Sequence, residues 1–536
     1  MKKIYGVLLL FFAAVGAVRS QSVYQPYSYQ FYQKLDQEVY STKTRQHSSL
    51  KPFFADDSLL KQRYDSLMNY GSSNGNRSGL YKKLFNEHLI DFKGGNSTFY
   101  ADLLPDFAVG REFSDKLTTN TVSLGLQLGG TVGNQFSYYI AGYESSAVVP
   151  NYQATYINQT GNIPGQAHAR IYKTNGYDWD YITAVASYTP VKYLNISAGR
   201  DKTFIGDGYR SVLLSDVSTP YPFFRLTATL GNVRYMAMWT SFNDPVDLDA
   251  NGKDRKKGGV FHYLDWNVSN RFSIGFFDAI IWYAKDDLGH RRNFELSYLN
   301  PVIFLRPVEA SNGSPDNAFI GLTSKFKISD GITAYGQFAL DEFESASFFS
   351  GKGSFRNKSG WQLGLRGANL FGVQGLNYLA ETNSVKPYTY SERGGVISYT
   401  QNGEMLAHPW GANFREFVGL LNYSYKRFDF SGEADYGHYG LDINGLNYGK
   451  DPFQDYTNPA KIDGNYIGQG LTTNMIFFEG KVAYLLNPKY NLRIELGGLI
   501  RNEKNSQFTD KTTMITFGLR SSFRNIYNDL ARYKAN

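Results

Sequence analysis

The sequence predicts an all-β transmembrane barrel of about 18 antiparallel strands with a small N-terminal helical segment. Three observations predict it. Aromatic residues make up 16% of the 536 residues, with 42 Tyr and 39 Phe, while Gly is frequent at 53 and Pro scarce at 17. That balance favours strands and turns over helices. From about Ser97 onward, apolar residues alternate with polar or small ones at a period of two. Short turns also alternate with long connections, as expected of strands that cross a bilayer with short turns on one side and long loops on the other.

The chain opens with a positive pair, Lys2 and Lys3, followed by the apolar or small run Ile4 to Val18. Cleavage after Ala17 or Ser20 fits the small-residue rule, so residues 1–20 read as a secretory signal peptide. The run is short for a membrane anchor. No later stretch is apolar for long enough to cross as a helix, so a mature chain lying in a membrane must lie there as a barrel. The absence of cysteine excludes disulfides, thiolate metal sites and a lipid-anchored cysteine. The formal net charge is +7, and losing Lys2, Lys3 and Arg19 with the leader lowers it further. So mild a balance carries no nucleic-acid inference.

Residues 21–96 lack the strand period. Tyr29–Glu38, Asp57–Met68 and Gly79–His88 read as short helices, with Asp56 or Asp57 capping the second and Ser78 the third. This is expected to be a helical segment on the periplasmic side. The barrel is expected over 97–523. Val122, Leu124, Leu126 and Leu128 alternate with Ser123, Gly125, Gln127 and Gly129; the runs at 428–436, 492–497 and 515–523 repeat the pattern. Short turns are read at Gly133-Asn134, Pro190–Tyr193, Gly231-Asn232, Ser269-Asn270, Asp330-Gly331, Lys426-Arg427 and Asn487–Tyr490. Long connections are read near 147–176, 203–221, 243–258, 344–357, 384–413, 441–470 and 503–510. With every short turn on one side, Lys285 to Asp316 must be a single excursion, and the count comes to 18 strands with both ends periplasmic. Residues 524–536 read as a periplasmic C-terminal tail with Ile526 and Leu530 on one face, or as a frayed end.

A barrel this wide has an open lumen unless something fills it. Asp429, Glu433, Asp435, Arg366, Arg493 and Arg520 fall on inward faces, where they pair and solvate the lumen or line a solute pathway. The most charged loop is Gly199 to Leu226, GRDKTFIGDGYRSVLLSDVSTPYPFFRL. It carries Arg200, Asp201, Lys202, Asp207, Arg210, Asp216 and Arg225 around a Gly206-Asp207-Gly208 bend. Guanidinium forks and rings together suit an acidic polysaccharide, and the same charges also suit an internal salt-bridge cluster that closes the loop. In Asn300–Glu309, where Pro301 and Pro307 flank a short run, Arg306 and Glu309 form a second candidate polysaccharide-binding or loop-closure pair. His408-Pro-Trp-Gly-Ala-Asn413 reads as a packed turn.

No histidine pair has metal spacing, and neither a nucleophile elbow nor a phosphate-binding loop occurs, so catalytic, cofactor and metal sites are all expected to be none. Lumenal Ser and His leave a barrel hydrolase as the weakest alternative.

The runs GRDKTFIGDGYRSVLLSD (199–216), STPYPFFRL (218–226) and FELSYLNPVIFLRPVEASNGSPDN (294–317) resemble the Wzi-type capsule-assembly family of outer-membrane barrels. LFNEHLIDFKGGNSTFYADLLPDFAVGRE (84–112) and HPWGANFREFVGLLNYSYKRFDFSGEADYG (408–437) are similar to a gliding-motility group within it, from Bacteroidota. The resemblance implies an 18-stranded barrel over periplasmic helices. It also implies attachment of surface polysaccharide without enzymatic activity, and a part in gliding or surface spreading. It puts Arg200, Asp201, Gly206, Gly208, Arg210, Ser215, Asp216, Asn300, Pro301, Arg306, Pro307 and Glu309 on family positions. The bend Ile-Gly-Asp-Gly-Tyr departs from the longer Gly- and Pro-rich bend of capsule proteins. The expected location is the Gram-negative outer membrane. The expected partners are outer-membrane lipid and surface polysaccharide or gliding-machinery proteins, with no nucleic acid. A porin or solute transporter is the alternative.

Overall fold

A computed structural model describes residues 24–53, 58–71, 78–248, 252–285, 296–301, 303 and 316–535. The expected signal peptide, Asp56, Asp57, Arg306 and Glu309 lie outside the described residues. The barrel strands are β1 Ser97–Glu112, β2 Thr118–Val132, β3 Phe136–Val148, β4 Gly176–Val191, β5 Leu194–Asp201 and β6 Tyr221–Leu230. They continue as β7 Val233–Leu248, β8 Asp254–Asn267, β9 Phe272–Tyr283, β10 Asn317–Ser329, β11 Ile332–Glu342 and β12 Lys358–Gly367. The last are β13 Leu376–Val385, β14 Phe414–Tyr425, β15 Phe428–Leu441, β16 Leu471–Asn487, β17 Leu492–Lys504 and β18 Thr509–Ser521. Each pairs antiparallel with its sequence neighbours, and β18 closes on β1, giving the 18-stranded barrel that the sequence predicts.

The alternation is inverted relative to a water-soluble core. On β2, Val122, Leu124 and Leu126 are 53, 56 and 61% exposed, while Ser123 and Gln127 are buried. Over much of the wall apolar side chains point out, as a bilayer demands, while the inner face mixes polar residues with buried rings such as Phe261, Phe277 and Phe319; the pair His262 and Asp278 is an exception that faces outward. Tyr188, Trp266, Phe272, Phe326, Tyr425 and Phe428 stand exposed near the short-turn end and form an aromatic girdle there. Gly231 (φ +63°) supplies a left-handed position in the two-residue turn between β6 and β7.

Two connections are shorter than the sequence reading has them. β7 runs to Leu248 and β8 begins at Asp254, and only 505–508 separates β17 from β18. Outside the apolar band a strand meets water on both faces, so its period of two is no longer visible. On the short-turn side, residues 368–375 form a further connection that the turn reading omits.

Three parts of the chain fill the lumen. The first is residues 24–53, which form short helical turns at Tyr29–Tyr32, Gln33–Leu35 and Asp36–Val39. Asp36 accepts from Arg366 of β12 at 2.7 Å, and Lys34 meets Asp429 of β15 at 2.7 Å. This part therefore lies within the barrel and not only beneath it. Helices α1 (Ser58–Met68) and α2 (Gly79–Phe85) follow at the rim, and Ser78 caps α2 as its sequence predicts, accepting the Tyr81 N–H at 3.3 Å. Ile90–Gly94 then pairs with β1, so the wall begins before residue 97.

The second part is loops 149–175, 202–220 and 386–413, folded inward, whereas residues 296–301 lie against the outward side chains Trp239 and Trp282. The inward loops include α3 (Asn151–Thr160), which ends at Gly161 (φ +75°).

The third is the C-terminal tail. The expectation of a periplasmic tail is corrected here: residues 522–535 turn back and run up the lumen. Asn525 reaches Asp216, and Arg532 reaches Glu503 at the far end of β17. Tyr527, Leu530, Ala531 and Tyr533 are buried. The lumen receives this tail because its polar residues find charged partners there and its apolar residues find aromatic ones.

Candidate functional site

The loop between β5 and β6, residues 202–220, is the hub of the filled lumen. Phe204-Ile205 pairs antiparallel with Leu50-Lys51, a short sheet that holds the N-terminal segment against the loop. Gly206 (φ +139°) starts the bend, and its N–H donates to Ser49 O at 2.7 Å. Asp207 accepts from Tyr40 Oη at 2.9 Å, from Ser49 Oγ at 2.6 Å and from Ser48 Oγ. Lys325 stands 3.7 Å away. Asp207 is buried, yet its carboxyl is held below the usual range because Lys325, Lys51 and the two serine donors outweigh desolvation. Lys51, buried beside it, is pushed down to about 7 by burial.

Gly208 lets the backbone approach Glu381 of β13. A Cβ there would stand 2.1 Å from Glu381 Oε2. The consecutive N–H groups of Tyr209 and Arg210 donate to the two oxygens of that carboxylate at 3.0 and 3.1 Å. The Arg210 guanidinium then projects among three carboxylates, contacting Glu416 at 3.1 Å, Asp435 at 3.5 Å and Asp529 of the tail. The rings of Tyr209 and Tyr527 lie 4.7 and 5.4 Å from its centre. Glu416, Asp435 and Asp529 bring their oxygens within 4.8 Å of one another, the spacing of a cation site. Arg210 is itself the cation they surround.

His408 completes this layer. Its Nδ1 accepts the Trp410 N–H at 3.1 Å, so Nε2 carries the proton and donates to Glu416 at 2.7 Å. Burial pushes the imidazole down to about 4 in spite of that carboxylate.

The other sequence candidates divide sharply. Asp201 accepts from Tyr24 Oη and from the Lys202 N–H. Lys202 donates to the carbonyls of Asp216 and Gly165. Asp216 holds the tail, accepting from Tyr527 Oη and Asn525 Nδ2 at 2.7 Å each. Arg225 is buried against Ser197, Thr203 and the Phe223 ring. Arg200 alone points outward from β5 and is exposed. Six of the seven candidates in this stretch therefore serve closure, and none of the six presents a free surface to a ligand. Beside the tail, a cavity of about 270 Å³ remains in the lumen, walled by Asp106, Glu433, Glu479, Arg493 and Arg520.

An open site lies elsewhere, at the long-loop end. Loops 343–357 and 442–470 clasp one another: Phe355 N–H donates to Ile462 O at 3.1 Å, Gly464 N–H to Lys352 O at 2.7 Å and Asn465 N–H to Gly353 O at 2.9 Å. The cleft between them is lined by Arg356, Ser347, Asn447, Asp455, Asn458 and Ile462. Arg356 meets Glu344 at 3.3 Å and both are well exposed. Sequence reading missed these residues. Their only signal is the Asn-, Asp- and Gly-rich composition of 442–470, which also describes an ordinary loop.

No family model matches the chain, and no curated protein matches it. Among solved structures, the Escherichia coli outer-membrane protein Wzi, described as a carbohydrate-binding β-barrel involved in group 1 capsule assembly, is similar with a TM-score of 0.54 and 13% identity. It covers 94% of this chain and 100% of its own. Acinetobacter baumannii OccAB2 (TM-score 0.42, 11% identity, 79% of this chain and 97% of its own) and Pseudomonas aeruginosa OprD (0.42, 9%, 78% and 94%) are more distant. At such identities the likeness is one of fold, that of an outer-membrane β-barrel.

Proposed function

We propose that this chain is a non-enzymatic outer-membrane barrel of the Gram-negative cell surface that holds surface polysaccharide at its long-loop end. One observation carries the reading: the lumen is occupied from end to end by the chain itself, locked by the Asp36–Arg366, Arg210–Asp529 and Arg532–Glu503 pairs. A barrel so filled offers surfaces, not a passage, and that weighs against the porin alternative. The cleft between loops 343–357 and 442–470 supplies what a polysaccharide needs: amide and carboxylate groups for hydroxyls, and Arg356 for an acidic sugar. The Wzi-like fold supports the same reading. From the sequence resemblance of segments 84–112 and 408–437 to a gliding-motility group alone, we further propose a role in surface spreading alongside gliding-machinery proteins.

The test has two arms. In planar bilayers the full chain is expected to give no steady conductance, and an open pore would sink the reading. In cells, a clean deletion is expected to lower retention of surface polysaccharide and to slow colony spreading. Loss of neither would remove the proposed role.

A further inference from the structure

The segment just before β1 does more than link the lumen plug to the wall. β18 registers with β1 only from Phe107 to Glu112, so the lower part of β1 has no β18 partner among the described residues. Ile90–Gly94 fills part of that gap, pairing antiparallel with Ser97–Ala101. The register extends two outward rows of the wall by one strand. Ile90 lies opposite Ala101, which continues to Leu128 and Ile140; Phe92 lies opposite Phe99, which continues to Gly130 and Tyr138. Ile90 and Phe92 are 56 and 66% exposed, on the same face as Leu103 and Ile140.

Helix α2, immediately upstream, adds Leu80 and Leu84, one turn apart and both exposed. The helix is held at the rim. Asn487 Nδ2, at the end of β16, donates to the carbonyls of Lys83 and Leu84 at 3.2 Å and of Glu87 at 2.9 Å, and Lys83 pairs with Asp91 of the short strand. An apolar surface is thus fixed rigidly beside the closing seam, continuous with rows that face lipid.

We infer that residues 79–94 form a membrane-leaflet anchor at the barrel seam, with Ile90 and Phe92 among the acyl chains and Leu80 and Leu84 at the headgroup boundary. The occupant is lipid because the surface continues the lipid-facing rows without a step. A protein partner would need a surface set apart from them. The inference depends on the barrel lying in a bilayer, not on what the long loops bind.

The absence of cysteine makes the test direct. Phe92→Cys and Leu80→Cys, each carrying a nitroxide, are compared in the full chain reconstituted into phospholipid vesicles with labels at Val109, on the outward face of β1, and at Lys116, in a water-exposed turn. Collision with oxygen reports lipid, and collision with a nickel chelate reports water. The label at 92 is expected to match Val109, with oxygen access exceeding nickel access severalfold, and the label at 80 to fall between Val109 and Lys116. A nickel-accessible label at 92 beside a lipid-like Val109 overturns the anchor alone. Low access to both reagents at 92 means that protein covers it, which also overturns the anchor. A nickel-accessible Val109 overturns the membrane reading together with it.

Discussion

The loop at 202–220 and the cleft between loops 343–357 and 442–470 are both rich in charge, and they use it in opposite ways. Arg210 is 1% exposed, with three carboxylates and two rings around it. The Arg356 side chain is 54% exposed and has one carboxylate beside it. Charges in the first region are enclosed by the chain and by one another, away from water. Charges in the second still face water and can exchange it for a ligand. Density of charged residues therefore says little about binding until burial is known.

The sharpest way to break this contrast is to remove each arginine in turn. Arg210→Met leaves Glu416, Asp435 and Asp529 buried without their cation. Breaking a buried pair in this way costs about 3–5 kcal/mol. Arg356→Met breaks an exposed pair and is expected to cost at most about 0.5 kcal/mol. Urea unfolding in detergent, followed by tryptophan fluorescence, measures both. Equal losses would mean that the two regions are not different in kind.

Removing the tail tests closure itself. Without 524–536 the Asn525, Tyr527 and Asp529 contacts disappear and the cavity of about 270 Å³ beside them enlarges. Discrete conductance steps are expected where the full chain gives none. A silent truncated barrel would assign closure to residues 24–53 and the loops instead.

The buried layer should also carry a pH dependence that the cleft lacks. His408 has its folded pKa lowered to about 4 from 6.5, so between those values the unfolded chain binds the proton more readily. Stability is then lost as pH falls from 6.5 to 4, by about 3 kcal/mol. His408→Gln, whose amide still donates to Glu416, is expected to flatten that slope. Melting curves at pH 4, 5 and 6.5 for the two chains measure it, and an unchanged slope would place its origin in other groups.

The barrel was legible because a bilayer writes its demands locally. Period two across 122–128, two-residue turns such as Gly231-Asn232, and the parity that made Lys285–Asp316 a single excursion are all readable without knowing any distant contact. The lumen was not legible, because its order comes from pairs far apart in the chain. Nothing near Arg210 in sequence points to Asp529, and nothing near Arg366 points to Asp36. The tail misled for the same reason: Ile526 and Leu530 mark an amphipathic run, but only the positions of Asp216, Glu503 and Trp410 say where it lies. Within Gly199–Leu226, the glycines and charges marked a special loop correctly, while one residue, Arg200, fell on the outer face because strand parity overrides proximity in sequence.

The smallest expected effect is the one that bears most directly on function. Asn458→Ala and Arg356→Ala each remove a side chain from the cleft without touching the buried network. Stability should stay within about 0.5 kcal/mol of the parent, as for surface changes generally. Each lost hydrogen bond to a sugar is worth about 1 kcal/mol, roughly a fivefold loss of affinity. Because the two residues sit on different loops of one cleft, the double variant should lose close to the product of the single losses if both touch the same chain of sugars. Titration of the purified barrel with surface polysaccharide from its own cells measures all three. Unchanged affinity in the double variant would remove the cleft from the binding surface, and would leave the exposed loops with no more claim to a ligand than the buried one.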